Sequence, residues 1–129
     1  MRTDLGKFIL RIVFGGFMVF SHGWGKLIKL FTSTDEIAFP DPIGLGTSTS
    51  FGLTVFAEFF CASLILVGLF TRYATIPLII TMLVAAFIIH GADPFGKKEM
   101  ALIYLLGYVS IYLLGPGKYS VDAQIRGEI

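Results

Sequence analysis

Four long apolar runs take up most of the 129 residues, and their length limits what the chain can form. A helix that crosses a bilayer needs about 20 mostly apolar residues. Lipid offers no water to unpaired backbone N–H and C=O groups, so a spanning segment has to satisfy those groups internally. The sequence therefore predicts an all-α membrane protein with four transmembrane helices, at about 5–31, 51–70, 73–91 and 98–114.

The connections between the runs predict how the helices follow one another. Thr71-Arg72 and the turn at 92–96 are too short to cross the bilayer, so the helices that they join are antiparallel. The polar, proline- and glycine-rich stretch 32–50 is predicted to be an external loop. Together these features predict an up-down-up-down bundle that forms one domain over 1–129. A small excess of lysine and arginine on the side of the termini places both termini in the cytoplasm.

Composition excludes several functions. The formal net charge is +1, so no nucleic-acid partner is predicted, since that would require a basic stripe. Cys61 is the single cysteine and lies inside an apolar run, which leaves no intrachain disulfide and no C-x-x-C redox pair. With 55% hydrophobic and only 15% charged residues, the chain has the lipid bilayer as its predicted partner.

Ionisable residues inside the apolar runs are the main candidates for function, because a charge in hydrocarbon is energetically costly. From the helical rise, His22 lies about 13 Å below the outer end of the first helix, and Glu58 about 11 Å below that of the second. Lys26 lies one turn above His22 on the same face. The sequence predicts a ligand or proton site in the outer half of the bundle, with five members: His22, Lys26, Glu58, His90 and Glu99.

Members of this outer site also have structural interpretations. Lys26 can extend to the interface like other lysines at helix ends. Glu99 follows two lysines at a helix start, where the helix dipole stabilises a carboxylate. Glu58 can form a buried pair, with His22 or with Lys26, that only holds helices together. Three tyrosines in the fourth helix are spaced by four residues and are predicted to form a packing seam that faces the bundle. The alternative is that they form one wall of a ligand site. They are Tyr104, Tyr108 and Tyr112.

The inner half of the bundle carries a second set of charges. Arg11 lies in the first helix, Arg72 at the connection between the second and third helices, and Asp122 in the polar tail. An arginine and a carboxylate near the same surface can form a strong charge-assisted pair. The sequence thus predicts inner-face ion pairs in which Asp122 is the acidic partner of one of the arginines.

Three kinds of ligand are considered for the outer site. A quinone is one, because buried His and Glu side chains can be tuned for hydrogen bonding and proton transfer. A metal ion is the second, with His22, Glu58, His90 and Glu99 as ligands, although no H-E-x-x-H or comparable signature is present. Haem held by His22 and His90 is the third, and it is disfavoured because the estimated depths of the two histidines differ by about 10 Å.

Several motifs, in this order and spacing, resemble the DoxX family of small bacterial four-helix membrane proteins. The resemblance extends over nearly the whole chain, and its Gly-x-x-Thr-Arg and Gly-Pro-Gly-x-x-Ser-x-Asp elements are the most distinctive. The elements are Arg11, His22-Gly23-x-x-Lys26, Glu58, Gly68-Leu69-Phe70-Thr71-Arg72, Met82, Ala86, His90, Glu99 and Gly115-Pro116-Gly117-x-x-Ser120-x-Asp122.

The resemblance implies a four-helix fold in the bacterial inner membrane and a link to redox systems. The family is named for a subunit associated with a thiosulfate:quinone oxidoreductase, and relatives are linked to redox stress and membrane oxidoreductase complexes. Some relatives carry cysteine pairs in their helices. This chain does not, so direct dithiol chemistry is not expected of it.

The leading hypothesis is an integral subunit of a redox system, with a quinone as its cofactor and an oxidoreductase subunit as its partner. His22 and Glu58 would form the centre of the site and Lys26, His90 and Glu99 its mouth, while no residue is assigned a catalytic role. The alternative is a non-catalytic membrane scaffold or assembly factor whose buried polar pairs are structural. A carrier of protons or small molecules is a third hypothesis, and it requires a homo-oligomer because four helices line only a small pore.

Overall fold

A computed structural model describes residues 2–32 and 44–126 of the chain. Most of the predicted external loop at 32–50 lies outside these described residues. Within them the secondary structure is helical and contains no strand, which confirms the all-α prediction for this part of the chain. The helices are α1 (Arg2–Thr32), α2 (Thr47–Val67), α3 (Thr71–Ile89), α4 (Phe95–Leu114) and the short α5 (Val121–Arg126).

Three of these helices, α1, α2 and α3, are long and apolar enough to cross a membrane. Helix α4 has 20 residues but carries Lys97, Lys98 and Glu99 near its start, and it is not among these candidate spans. Each long helix packs against the next one along the chain, and α4 also contacts α1. This arrangement is compatible with a four-helix bundle, while the fourth crossing, the up-down-up-down topology and the single domain over 1–129 stay predictions.

The helices bury a core of apolar side chains, which includes Met18, Ile65 and Leu78. Large apolar side chains also cover the outside of the molecule, where Phe20 is 73% exposed and Leu113 is 70% exposed. A soluble monomer rarely exposes extensive apolar surface. In a bilayer the same side chains face lipid, so the outer surface agrees with the helix lengths in indicating a membrane protein.

Two glycines allow α1 to approach α2 closely. A Cβ atom at Gly23 would lie 2.3 Å from the carbonyl oxygen of Glu58, and a Cβ at Gly15 would lie 2.9 Å from that of Ala62. No larger side chain fits at either position unless the helices separate. Small residues at helix contacts are typical of membrane proteins, where close backbone packing holds helices together. The contact at Gly23 brings the backbone of α1 against the turn of α2 that carries Glu58.

Helices α1, α2 and α3 contain π-helical turns, in which the backbone hydrogen bond spans one residue more than in an α-helix. His22 and Glu58 lie within such turns, and His90 directly follows one. Short π-helical turns are rare and frequently occur at functional positions. The turns comprise Ile12–Gly16 and Val19–Gly23 in α1, Phe56–Cys61 in α2 and Ala85–Ile89 in α3.

Candidate functional site

An ion pair joins α1 to α2 in the C-terminal part of α1. Lys26 Nζ donates a hydrogen bond to Glu58 Oε1 at 2.7 Å. The Glu58 side chain is 6% exposed and that of Lys26 is 31% exposed, so the carboxylate lies within the helix packing while the lysine extends from its edge. A buried carboxylate without a cation is strongly destabilising. Lys26 is therefore the group that allows Glu58 to lie at this position as an anion.

Beside this pair, a cavity of about 230 Å³ lies between α1, α2, α3 and α4. His22, Lys26 and Glu58 line it from α1 and α2, and His90 lines it from the end of α3. Four of the five residues predicted for the outer site thus border one space. Lys97 is a further cation in the wall. The other lining residues are apolar or aromatic: Met18, Met82, Ala85, Met100, Ala101 and Tyr104.

Polar atoms of Glu58 and His22 have unused hydrogen-bonding capacity. Neither Glu58 Oε2 nor the ring nitrogens of His22 have a hydrogen-bond partner among residues 2–32 and 44–126. In the same residues no fully buried side-chain nitrogen or oxygen lacks a partner, so these atoms are not sealed inside the protein. The His22 ring packs edge-on against Tyr104, with ring centroids 5.7 Å apart. This contact orients an imidazole beside the cavity.

His90 is anchored from outside the cavity. Its Nδ1 lies 2.9 Å from Oδ2 of Asp93, in the turn that follows α3. The hydrogen bond from His90 is the main cause that lowers the pKa of the Asp93 carboxyl. Desolvation opposes it, and the positive charges of His90, Lys97 and Lys98 lower the pKa further. Because Nδ1 is engaged by Asp93, Nε2 is the nitrogen of His90 that a ligand can reach.

The fifth predicted member of the outer site, Glu99, is exposed and does not line the cavity, whereas Lys97 does. Residues two apart on a helix do not share a face, so α4 can turn only one of them inward. Glu99 therefore lies with the solvated start of α4, in agreement with the structural interpretation of this residue.

Sequence reasoning missed the methionines of the cavity wall. Met18, Met82 and Met100 come from three helices and border the same space as the ionisable groups. Helical spacing is the signal that could have found two of them, since Met18 lies four residues before His22 and Met100 four residues before Tyr104. The alternative interpretation of Tyr104 as part of a ligand wall agrees with its position.

The metal and haem interpretations gain no support from the geometry. Within residues 2–32 and 44–126, no group of three or more His, Cys, Asp or Glu side chains is arranged to hold a metal ion. The four proposed ligands, His22, Glu58, His90 and Glu99, do not form such a group. Pockets for small molecules span about 300–1,000 Å³. At about 230 Å³ the cavity is too small to enclose a porphyrin.

At the other end of the bundle, Arg11 is 1% exposed and donates to backbone carbonyls from two distant parts of the chain. Its Nε donates to Pro116 O at 3.0 Å, and its Nη2 donates to Tyr119 O. Its Nη1 donates to the carbonyl oxygens of Ile65, at 3.3 Å, and Leu66, at 3.1 Å. Arg11 thus connects α1 to the end of α2 and to the segment between α4 and α5.

The prediction that Asp122 pairs with Arg11 or Arg72 is wrong, because each of these residues binds other groups of the chain. Asp122 accepts hydrogen bonds from Phe70 N at 2.8 Å, Thr71 N at 3.0 Å and Thr71 Oγ1 at 2.8 Å. Arg72 Nε instead donates to the carbonyl of Tyr112 at 3.0 Å. The reason is that backbone N–H groups at the start of α3 lack helical partners and bind the carboxylate. Burial raises the pKa of Asp122, but the hydrogen bonds from Thr71 and Phe70 outweigh it and lower the pKa overall.

Apolar helices that enclose a polar cavity define an integral helical membrane protein. The chain belongs to the DoxX family, because the family model described as DoxX matches residues 6–91. An uncharacterized membrane protein of Mycobacterium tuberculosis is 30% identical in an alignment 122 positions long, and the match covers 77% of this chain and 75% of that protein. No solved structure matches. The resemblance seen in the motifs is thus confirmed, and the matched range contains the cavity residues up to His90.

Proposed function

We propose that the chain is a subunit of a membrane redox system and that its outer cavity binds the ring of a quinone. The observation that carries this proposal is the convergence of His22, Lys26, Glu58 and His90 on one cavity. Ionisable groups within membrane helices are rare and generally serve a ligand, a proton path or one another. The Lys26–Glu58 pair uses only one carboxylate oxygen, so Glu58 Oε2 and the His22 ring are left for a ligand.

The size of the cavity favours a single ring over a complete hydrophobic molecule. Its volume of about 230 Å³ is smaller than the pockets of about 300–1,000 Å³ that enclose drug-sized ligands. A quinone needs only its ring inside, because its apolar tail can stay in the bilayer. Met100 lines the cavity and is 56% exposed, so this side of the wall offers the tail an exit. Thioether and aromatic side chains such as Met18 and Tyr104 supply polarizable surface for a flat ring.

A bound quinone supplies chemistry that takes up two electrons and two protons, and an oxidoreductase partner subunit would supply the electrons. The residues of this chain bind the ring and handle protons. Lys26 and His22 can donate hydrogen bonds to the ring oxygens. Glu58 can exchange a proton with the ligand through Oε2, and His90 can do so through Nε2, while its Nδ1 is bonded to Asp93 outside the cavity.

The proposal places the chain in the bacterial inner membrane with both termini in the cytoplasm and α4 as a fourth crossing. Lys97, Lys98 and Glu99 would then lie at the outer surface, where charges at a helix end are tolerated. The cavity would open towards that surface, since Lys97 and His90 both line it. Proton exchange would therefore occur with the outer side.

Quinone binding to the purified protein tests this proposal. A short-tailed quinone is titrated into the protein in detergent by calorimetry, with size-exclusion chromatography as a check of folding. The reduced quinol is titrated in the same way without oxygen, because its hydroxyls can donate to Glu58 Oε2. Glu58→Gln should weaken quinol binding by at least tenfold, because a hydrogen bond to a charged group contributes about 1.5–3 kcal/mol. His22→Ala should also weaken it. Glu99→Gln is the matched control and should bind like wild type. No binding by wild type, or equal binding by Glu58→Gln and Glu99→Gln, refutes the proposal.

A non-catalytic scaffold is the second candidate, and the direct Lys26–Glu58 ion pair favours it. Together with the close contact at Gly23, the pair could serve only to hold α1 against α2. A scaffold should crosslink in membranes to a defined partner protein, and Glu58→Gln should keep that partner wherever it folds. Absence of any crosslinked partner in wild type would remove this candidate.

A further inference from the structure

A second cavity, of about 470 Å³, lies at the opposite end of the helices from the His22 site. Its walls come from the start of α3, the end of α4 and the short α5. Arg72 and Arg126 line this cavity, and aromatic and aliphatic side chains line it as well. It therefore combines positive charge with apolar surface at the edge of the membrane-spanning region.

Arg72 is held in a fixed position with part of its guanidinium unused. Its Nε donates to Tyr112 O at 3.0 Å, which ties the side chain to the end of α4. Gly115 makes room for it, since a Cβ there would lie 3.0 Å from Arg72 Nη2. Neither Nη atom has an acceptor among residues 2–32 and 44–126. A guanidinium held by Nε can offer its remaining N–H groups to an anion, and phosphate oxygens fit this geometry.

The other walls indicate which kind of anion fits. Tyr73, which is 76% exposed, and Ile76 continue from the cavity along the outer face of α3, where lipid chains would lie. Asp122 also lines the cavity, but both of its carboxylate oxygens accept hydrogen bonds from the start of α3. Its charge is therefore partly neutralised by groups on the protein side. An occupant with an anionic head and apolar chains matches both kinds of surface.

We propose that this cavity binds the phosphate headgroup of an anionic phospholipid, with the acyl chains along the Tyr73 and Ile76 face of α3. Basic pockets between membrane helices are a recognised way of holding such headgroups. Two arginines outnumber the single carboxylate of Asp122 in the cavity, and this excess of positive charge favours a lipid with net negative charge over a zwitterionic lipid, whose phosphate is compensated by its own cation. The site would fix the depth and rotation of α3 relative to the lipid surface, separately from the quinone proposal.

Native mass spectrometry of the full chain in detergent tests the proposal, with phosphatidylglycerol and phosphatidylcholine of identical acyl chains as probes. Wild type should bind phosphatidylglycerol at least about fivefold more tightly, the factor expected for one basic residue near anionic lipid. Arg72→Gln should lose this preference. Arg2→Gln removes the same charge from an exposed position at the start of α1, outside the cavity, and should retain it. Equal binding of the two lipids by wild type, or equal effects of the two substitutions, overturns the proposal.

A second set of variants keeps the test valid if Arg72→Gln does not fold. Ile125 and Gln124 are exposed neighbours on α5, but only Ile125 lines this cavity, while Gln124 lines a different one. Ile125→Glu should weaken phosphatidylglycerol binding, whereas Ile125→Gln and Gln124→Glu should not. Equal weakening by Ile125→Glu and Gln124→Glu overturns the site. Inorganic phosphate that binds as tightly as phosphatidylglycerol would overturn the assignment to a lipid and indicate a site for free anions.

Discussion

Removing Lys26 should destabilise the protein more than removing the charge of Glu58. After Lys26→Met, the 6% exposed carboxylate loses the partner that lies 2.7 Å away. Breaking a buried ion pair in this way costs about 3–5 kcal/mol, and we expect about 3 kcal/mol because Glu58 Oε2 has access to the cavity. After Glu58→Gln, the amide can still accept a hydrogen bond, and Lys26, at 31% exposed, can turn to water. This variant should lose only about 1 kcal/mol, in the range of accessible pairs.

The double variant completes the thermodynamic cycle. Lys26→Met with Glu58→Gln leaves no buried unpaired charge, so it should be more stable than Lys26→Met alone, with a coupling free energy of about 2–3 kcal/mol. The free energy of unfolding can be measured in mixed dodecylmaltoside and SDS micelles by circular dichroism. Lys29→Met is the control, because it removes an exposed lysine of the same helix whose ammonium lies 6.0 Å from the Phe51 ring. It should cost about 0.5–1 kcal/mol at most.

Additive effects of the two substitutions would refute this reasoning, because they would mean that the residues do not interact energetically. A larger loss for Glu58→Gln than for Lys26→Met would refute it as well. That result would indicate that the carboxylate is stabilised by groups other than the lysine, and it would weaken the assignment of Oε2 to a ligand.

Three further predictions concern helix packing and the inner end of the bundle. Gly23→Ala should destabilise the protein by about 1–3 kcal/mol, because its Cβ would lie 2.3 Å from a carbonyl oxygen of α2. Gly25→Ala is the control and should be neutral or stabilising, because no atom lies within 4 Å of a Cβ at that position. Equal free energies of unfolding for the two variants would contradict this prediction. Arg11→Met should lower the free energy of unfolding by at least about 3 kcal/mol, because several backbone carbonyls lose their donor. Arg11→Lys should not restore wild-type stability, because one ammonium group cannot replace the planar guanidinium with its several donors. The pKa of Asp122 is lowered in the folded state, so its contribution is complete above about pH 3.9, the ordinary pKa, and disappears as the pH falls through the folded-state pKa. The thermal midpoint of wild type should therefore fall towards that of Asp122→Ala in strong acid, and a constant difference between the two across this range would be inconsistent with the bond to Thr71.

The helices could be predicted because the bilayer leaves the backbone few alternatives. Helix α3 was predicted at about 73–91 and spans Thr71–Ile89, and α2 was predicted at about 51–70 and spans Thr47–Val67. The helices start earlier because polar residues such as Thr47 and Thr71 extend them beyond their apolar runs. Helix α2 ends earlier because Gly68 takes a left-handed conformation, with φ of 78°. The π-helical turns could not be predicted, because an extra residue in a turn depends on packing between helices and leaves no mark in the apolar pattern.

Part of the candidate site was also accessible from sequence. Depth along the helix was enough to group His22, Lys26 and Glu58, since a regular rise converts residue number into height. Depth could not decide between His22 and Lys26 as the partner of Glu58, because the two share a face of α1 and the long lysine side chain can reach a carboxylate about one turn away. Depth also could not separate Lys97, which lines the cavity, from Glu99, which does not, because that difference depends on the rotation of α4 about its axis.

The interactions of Arg11 and Asp122 were beyond sequence reasoning for a different reason. Side chains of opposite charge can be paired from the sequence. Backbone N–H and C=O groups are the same at nearly every residue, so the sequence does not show which of them a charged side chain will bind. Arg11 binds carbonyl oxygens, and Asp122 binds the N–H groups of Phe70 and Thr71. These backbone groups lie at helix ends, where they lack partners within the helix, and only the folded structure shows which side chain lies close to them.

During synthesis, Arg11 reaches the membrane before the groups that bind it have been made. Its acceptors on Pro116 and Tyr119 follow 105 and 108 residues later. At translation rates of about 5–20 residues per second, that interval lasts about 5–20 seconds. The carbonyl groups of Ile65 and Leu66 are made earlier, after 54 and 55 residues, and can bind only Nη1 of the guanidinium. Complete binding of Arg11 is therefore a late event that requires the segment after α4, and a ribosome paused before that segment would leave Arg11 without two of its acceptors.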